Sequence, residues 1–306
     1  MSTASPSYSR YAKARSIALN PGLWDGLELC VHSPLGKTGP RAENIANRRR
    51  FGTLTTMDLA TDCVVTSKGC TWDFDGIDGY IDFGDLDHWT ESVVDGFTIA
   101  GWLKRPDITA TDNWVNKYQA GHTEFIAGFL ATRFYGWVRD NTGGRHIGRY
   151  AANLGTYCSN DAWHHFAMTY NGGTTSASVK LYIDGVRRDS TNFTTGAGSF
   201  TTIRNTDAPL TLGKDSAGLA GAPLEGQSTG FSLHSRPLAL SEIQLLHSDE
   251  HAIVRPKIRV WPGITEATDS NTGHWFRQPR NKPHFIPVEN KPNFRMQDNK
   301  PNFTVM

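Results

Sequence analysis

Apolar and polar residues alternate with a period of two through most of the middle of the chain. Phe97-Thr98-Ile99-Ala100-Gly101-Trp102-Leu103 sets Phe97, Ile99 and Leu103 on one face, the pattern of a strand with a core side. In Phe134 to Arg139, Phe134 and Val138 fall on one side and Tyr135, Trp137 and Arg139 on the other. Trp163 to Tyr170 is apolar almost throughout, as in a strand buried on both faces. Val179, Leu181 and Ile183 alternate with Lys180 and Tyr182, and Asp184-Gly185 supplies a two-residue turn before Val186. Asp75-Gly76, Asn141 to Gly144 and Asn171-Gly172-Gly173 separate the runs. Many short strands punctuated by turns between about 70 and 235 predict an all-β sandwich or barrel. One short helix is signalled late, with Ser241 as N-cap, Gln244 closing a capping box, Leu240 and Leu245 as a staple, and Ile243 and Leu246 facing the core.

Composition breaks near residue 250. Residues 251–306 hold nine Lys/Arg against four Asp/Glu, a balance of +5, while the whole 306-residue chain carries +1, which leaves −4 for residues 1–250. The same segment holds seven of the 15 Pro and two of the 30 Gly. It also repeats itself every nine residues: Asn281-Lys282-Pro283-His284-Phe285, Asn290-Lys291-Pro292-Asn293-Phe294, Asn299-Lys300-Pro301-Asn302-Phe303. Proline excludes helix and central strand, and nine residues make no core of their own. Each unit is therefore expected to be extended and to dock one phenylalanine on another surface, or the tail is flexible. The expected organisation is an arm with leader strands over 1–69, a β domain over 70–250 and an extended basic tail over 251–306.

The near-neutral balance argues against a protein that coats nucleic acid. The best apolar stretch, Phe125 to Leu130, stops at Arg133, far short of the ~18 residues of a membrane span. Met1 to Arg15 has no apolar stretch after its basic residues, so a secretory leader is not expected and folding in a cytosol is. The four cysteines at 30, 63, 70 and 158 form no CxxC pair, so zinc is not expected and buried reduced thiols are. Cys63 and Cys70 stand close enough to meet across a turn at Ser67 to Gly69.

Five pieces, in order, resemble the laminin-G-like, concanavalin A-like jelly rolls. Trp72-Asp73-Phe74-Asp75-Gly76-Ile77-Asp78-Gly79-Tyr80-Ile81 is similar to their opening strand pair, and Phe97 to Leu103 to their next long strand. Trp163-His164-His165-Phe166-Ala167-Met168-Thr169-Tyr170 resembles their W-H-H-V-A strand, and Leu181-Tyr182-Ile183-Asp184-Gly185 their L-Y-V-D-G hairpin. Ser235-Arg236-Pro237-Leu238-Ala239-Leu240-Ser241-Glu242-Ile243 is similar to their closing turn and helix. The resemblance implies two antiparallel sheets packed face to face as a jelly-roll sandwich, with one short C-terminal helix and extended N- and C-terminal arms. The flanks, Pro34 to Gly39, Gly52 to Leu54 and Asp249 to Arg259, resemble leaders and trailers of such domains in bacteriophage-encoded proteins. That implies a virion protein assembled in the host cytoplasm, a capsid decoration, head fibre or tail appendage with capsid or tail proteins or identical subunits as partners.

Candidate chemistry is sparse. Glucanases on this fold usually present E-x-D-x-E along one strand, and no such triplet occurs, so no catalytic residue is assigned. No cofactor is required. Calcium is admissible at Asp75 and Asp78, within a dense run that includes Asp82, Asp85 and Asp87, although acidic residues also cap turns, and Gly79 stands where the family often has a second Asp. His164 and His165 are strand neighbours that point to opposite faces and cannot share one ion. Trp114, Tyr118, Tyr135, Trp137 and Tyr150 form an aromatic-rich middle, the side chains on which sugar rings stack, and are the glycan-binding candidates. Phe285, Phe294 and Phe303, with the basic run Arg48-Arg49-Arg50, are the partner-docking candidates. The resulting expectation is a non-enzymatic virion protein displaying a lectin-like jelly roll, with a carbohydrate-binding adhesion module as the alternative and a glycoside hydrolase behind both. No nucleic-acid or membrane partner is expected.

Overall fold

A computed structural model describes residues 18–32, 41–47, 49–86, 96–119, 121–140, 144–214 and 223–257. In chain order the strands are β1 (Leu27–Val31), β2 (Arg41–Ala42), β3 (Gly52–Thr55), β4 (Cys63–Thr66), β5 (Gly69–Asp75), β6 (Tyr80–Asp82), β7 (Phe97–Lys104), β8 (Asp112–Gln119), β9 (His122–Leu130), β10 (Arg133–Arg139), β11 (His146–Ala151), β12 (Trp163–Tyr170), β13 (Val179–Ile183), β14 (Val186–Arg187), β15 (Thr191–Thr195), β16 (Leu210–Leu212) and β17 (Glu225–His234), followed by helix α1 (Leu240–Ser248). They form two antiparallel sheets. The eight-stranded sheet runs β14-β13-β12-β7-β17-β5-β4, with β1 also paired to β17, and the nine-stranded sheet runs β15-β11-β10-β9-β8-β16-β6-β3-β2. This is the all-β two-sheet sandwich that the alternation and the jelly-roll resemblance predict. Residues before 70 supply β1 to β4 and so belong to both sheets.

The core lies between the sheets. Phe97, Ile99 and Leu103 meet Phe125, Ala127 and Phe129, Phe134 and Val138, and Phe166 and Met168, all buried. Trp114 sits at the centre with no exposed surface, its ring 6.0 Å from Phe134, 6.3 Å from Phe166 and 6.4 Å from Phe231. The sheets close tightly over Gly136, where a Cβ would stand 2.6 Å from the Met168 sulfur. One buried ion pair crosses this region: Arg105 Nε donates to Asp112 at 2.8 Å while its guanidinium lies 3.9 Å from the Phe129 ring centre.

A second apolar cluster covers the outer face of the eight-stranded sheet. Ala100 and Ala167 are cross-strand partners, and their small side chains leave room for Ile243 and Leu246 of α1 and for Leu23, Trp24 and Ile253. Trp24 Nε1 donates to the Ile253 carbonyl at 2.8 Å, and Leu19 N to the Arg255 carbonyl at 2.7 Å beside an Ala18–Pro256 bridge. The stretches before β1 and after α1 are thus fastened to each other.

Two local expectations change. Ser241 lies inside the helix, because the N-cap is Ala239, which has no side-chain acceptor; the Glu242 carboxylate instead accepts from Ala239 N at 2.9 Å and pairs with Arg236. Leu240 is exposed, so it makes no staple. The Asp184-Gly185 turn stands as expected, with φ of 49° and 72°, the left-handed pair of a type I′ hairpin. Asp184 also explains the neighbouring histidines: its carboxylate accepts from His165 N at 2.8 Å and pairs with His164 Nδ1 at 2.7 Å, while the His165 ring is buried on the other face. In the β4–β5 hairpin Cys63 faces Trp72 and Cys70 faces Val65, so the two cysteines are diagonal rather than opposite.

Candidate functional site

Strand β10 has Phe134, Gly136 and Val138 against the core, so Tyr135, Trp137 and Arg139 project from the outer face of the nine-stranded sheet. The register extends that face sideways. Tyr135 pairs with Tyr150, Trp137 with Gly148 and Arg139 with His146 on β11, and Phe193 of β15 lies beyond Gly148. Gly148 is required there, since a Cβ would fall 2.5 Å from that of Trp137. The His146 ring stacks on Trp137 at 4.7 Å and 26°, and Phe193 stands 5.3 Å from His146 and 6.0 Å from Tyr135. The Arg133 guanidinium lies 4.8 Å from the Tyr150 ring centre. Five rings from three strands therefore form one platform with arginines at its border.

The platform is uncharged near neutral pH. Burial, with the Arg139 charge adding to it, pushes His146 down to about 4. Burial and then the Asp112 charge push the Tyr135 phenol up to about 12. The rings are set at angles to one another, with Trp137 buried and the others half-buried; a neutral aromatic surface can hold the apolar face of a ring-shaped ligand, and bordering polar groups orient it. The same row continues across the sheet from Trp137 through Ile126 and Asn116 to Thr211.

Of the glycan candidates, Tyr135, Trp137 and Tyr150 come together here. Trp114 does not: bulges in β8 turn it, together with Val115, into the core. Tyr118 lies past a second bulge, opposite Thr123 near the end of β8, away from the five rings. His146 and Phe193 were missed. Phe193 is the one apolar residue of its strand, Thr191-Asn192-Phe193-Thr194-Thr195, too weak an alternation to mark β15. Among the docking candidates, Arg49 and Arg50 are exposed near β3, while Arg48, Phe285, Phe294 and Phe303 lie outside the described residues.

The acidic run serves local structure. Asp75 Oδ1 accepts from the backbone N–H groups of Ile77, Asp78 and Gly79. Burial raises the Asp75 carboxyl, but these donors together outweigh it and hold the group below its ordinary range. Asp82 caps Gly84 N, Asp85 pairs with buried Lys117, and Asp87 lies outside the described residues. The carboxylates do not converge as the six to eight oxygens of a calcium site must, and no group of three or more His, Cys, Asp or Glu among the described residues is arranged to hold a metal. Asp73, Asp75, Asp62, Asp161 and Glu225 instead border, with Lys104, a cavity of about 280 Å³ on the eight-stranded sheet, remote from the aromatic face. Burial raises the Asp73 carboxyl there.

The two packed antiparallel sheets form a jelly-roll sandwich of the concanavalin A-like kind. Residues 75–244 match the model of the Concanavalin A-like lectin/glucanases superfamily, and the chain belongs to that family. Solved structures with the same fold include the binding domain of Paraclostridial Mosquitocidal Protein 1, at 17% identity and a TM-score of 0.50 over 74% of this chain and 52% of that one. The botulinum neurotoxin serotype D binding domain matches at 11% identity and 0.54, over 76% and 51%. The serotype D ligand-binding domain in complex with N-acetylneuraminic acid matches at 11% and 0.52, over 77% and 52%. The chain spans about half the length of these neighbours. No curated protein matches it in sequence.

Proposed function

We propose that the chain is a non-catalytic carbohydrate-binding module whose ligand stacks on the outer face of the nine-stranded sheet. The observation that carries this reading is the platform of Trp137, His146 and Phe193, flanked by Tyr135 and Tyr150. The structural neighbours support it in kind, since they are binding domains and one is in complex with a sialic acid. The test is a glycan array followed by titration of the best sugar against wild type and Trp137→Ala. Affinity should fall by about tenfold or more, the equivalent of ~1.4 kcal/mol of lost stacking, while the far-ultraviolet spectrum stays unchanged. Uniform signal across the array would overturn the reading.

A second reading is favoured by the nine-residue repeat around Phe285, Phe294 and Phe303. We infer that this segment straps the module to an assembly such as a phage capsid or tail. Deleting residues 281–306 should then abolish attachment or self-association measured by light scattering and particle sedimentation, with sugar binding retained; unchanged assembly would remove the strap.

A further inference from the structure

Among the described residues, the core between the two sheets contains no histidine. The three histidines that are buried, His32, His165 and His234, all meet the layer that covers the eight-stranded sheet, made by α1 and the stretches before β1 and after α1. His165 of β12 has the Trp102 ring 5.4 Å away and the His247 ring of α1 6.2 Å away. His32, just past β1, lies 4.5 Å from the His251 ring, and its Nε2 donates to the Glu250 carbonyl at 3.2 Å. His234, at the end of β17, donates from Nε2 to the Leu23 carbonyl at 3.0 Å. In all three rings Nδ1 is buried without a partner. Protonation would place there an N–H with nothing to receive it. The charged groups around the rings come from several elements. His247 of α1, Asp184 of the β13–β14 turn and Lys68 of the β4–β5 turn face His165; His251, Glu250 and Asp249 face His32; Arg236 and Glu242 face His234. Lys68 also spans the seam, over the Trp102 ring at 3.5 Å and paired with Glu250 at 2.7 Å.

We propose that acid lifts this covering layer from the eight-stranded sheet while the two sheets stay packed on each other. Each buried histidine is kept out of water by the layer, and each regains its hydration when the layer lifts. Burial outweighs the facing carboxylates: it lowers His165 to about 3 and His234 to about 4, and it lowers His32 as well, with the His251 charge adding to it. The lifted state therefore takes up protons that the seated state refuses. The layer is fully seated above the ordinary histidine value of 6.5 and loosens as pH falls below it. Between pH 7.5 and pH 5, His165 and His234 each raise the lifted population by about thirtyfold. The core between the sheets has no such group to charge among the described residues. Lifting bares Ala100, Ala167 and Tyr182, a strip that the layer covers at neutral pH.

The experiment is hydrogen–deuterium exchange of the full chain, read by mass spectrometry at pH 7.5 and pH 5 and corrected for the intrinsic rate at each pH. Peptides of α1 and of residues 249–256 should lose protection by at least about thirtyfold, while those of β9 and β10 stay at least about tenfold better protected than the layer at pH 5. His165→Phe keeps a buried ring and removes its proton site, so the loss over the same pH span should shrink by about thirtyfold. Equal protection of the layer at both pH values would overturn the proposal. So would a layer and sheets that exchange at one rate at pH 5, the mark of a single unfolding unit. Both of those outcomes are read on the wild-type chain and need no variant to fold. A His165→Phe layer that loosens as much as wild type would overturn the proposal as well, because the protons would then be taken up elsewhere.

Discussion

The two outer faces of this sandwich are built from the same alternation and end differently. On the eight-stranded sheet the central outward positions are Ala100 and Ala167, and a helix and two terminal stretches settle on them. Around that patch Trp102 is used as filler, stacked on His247 of α1 at 5.6 Å and capped by the Lys68 ammonium at 3.5 Å. On the nine-stranded sheet the equivalent positions carry Tyr135, Trp137, His146, Tyr150 and Phe193, with Trp137 stacked on His146 and Phe193 meeting Tyr135 and Tyr150 edge to face. Small side chains invite an element of the same chain; large flat ones leave no place for a helix backbone and keep their own rings in order. The lesson is that residue size on an outward strand position separates a face meant for internal packing from one suited to an external ligand.

Enlarging a small residue is the strongest challenge to this contrast. Ala167→Leu should push α1 away from its seat and lower stability by about 1–3 kcal/mol, seen as a lower urea midpoint at unchanged slope. Sugar binding on the far sheet should stay as in wild type. Weakened sugar binding of the folded variant would show that the two faces are coupled and the contrast false.

A smaller effect sharpens it through pH. Burial lowers His146 to about 4, and lowers His165 to about 3 and His234 to about 4 on the covered face. Between the ordinary histidine value of 6.5 and these values, the unfolded chain binds protons that the folded chain refuses. Stability is therefore complete above pH 6.5 and falls as pH drops toward 4. In His146→Gln the share from the aromatic face should vanish, so melting temperature should fall less steeply over that range, while the share from His165 and His234 persists. An unaltered slope would mean that the His146 ring titrates as a solvated one.

Much of the fold was legible because its strands are long and cleanly alternating: Phe97 to Leu103, Phe134 to Arg139 and Val179 to Ile183 stand where the pattern puts them. The helix was legible in its buried residues, Ile243 and Leu246, but not in its cap, since Glu242 reaching back to Ala239 looks in sequence much like Ser241 reaching forward. The site was half legible. Parity against Phe134 and Val138 placed Tyr135 and Trp137 outside, whereas a bulge, which leaves no mark in composition, sent Trp114 inward. His146 and Phe193 needed the strand register, a long-range property that no local window contains.

The fastening of Ala18 to Pro256 has a practical side. Ala18 and Pro256 lie a strand spacing apart, roughly 5 Å, among the residues that cover the eight-stranded sheet. A segment cut at that bridge could be placed in one surface loop of a host protein without stretching the host's own backbone. Grafted that way, the platform would face outward from its carrier, ready for display on a bead, a particle or another enzyme.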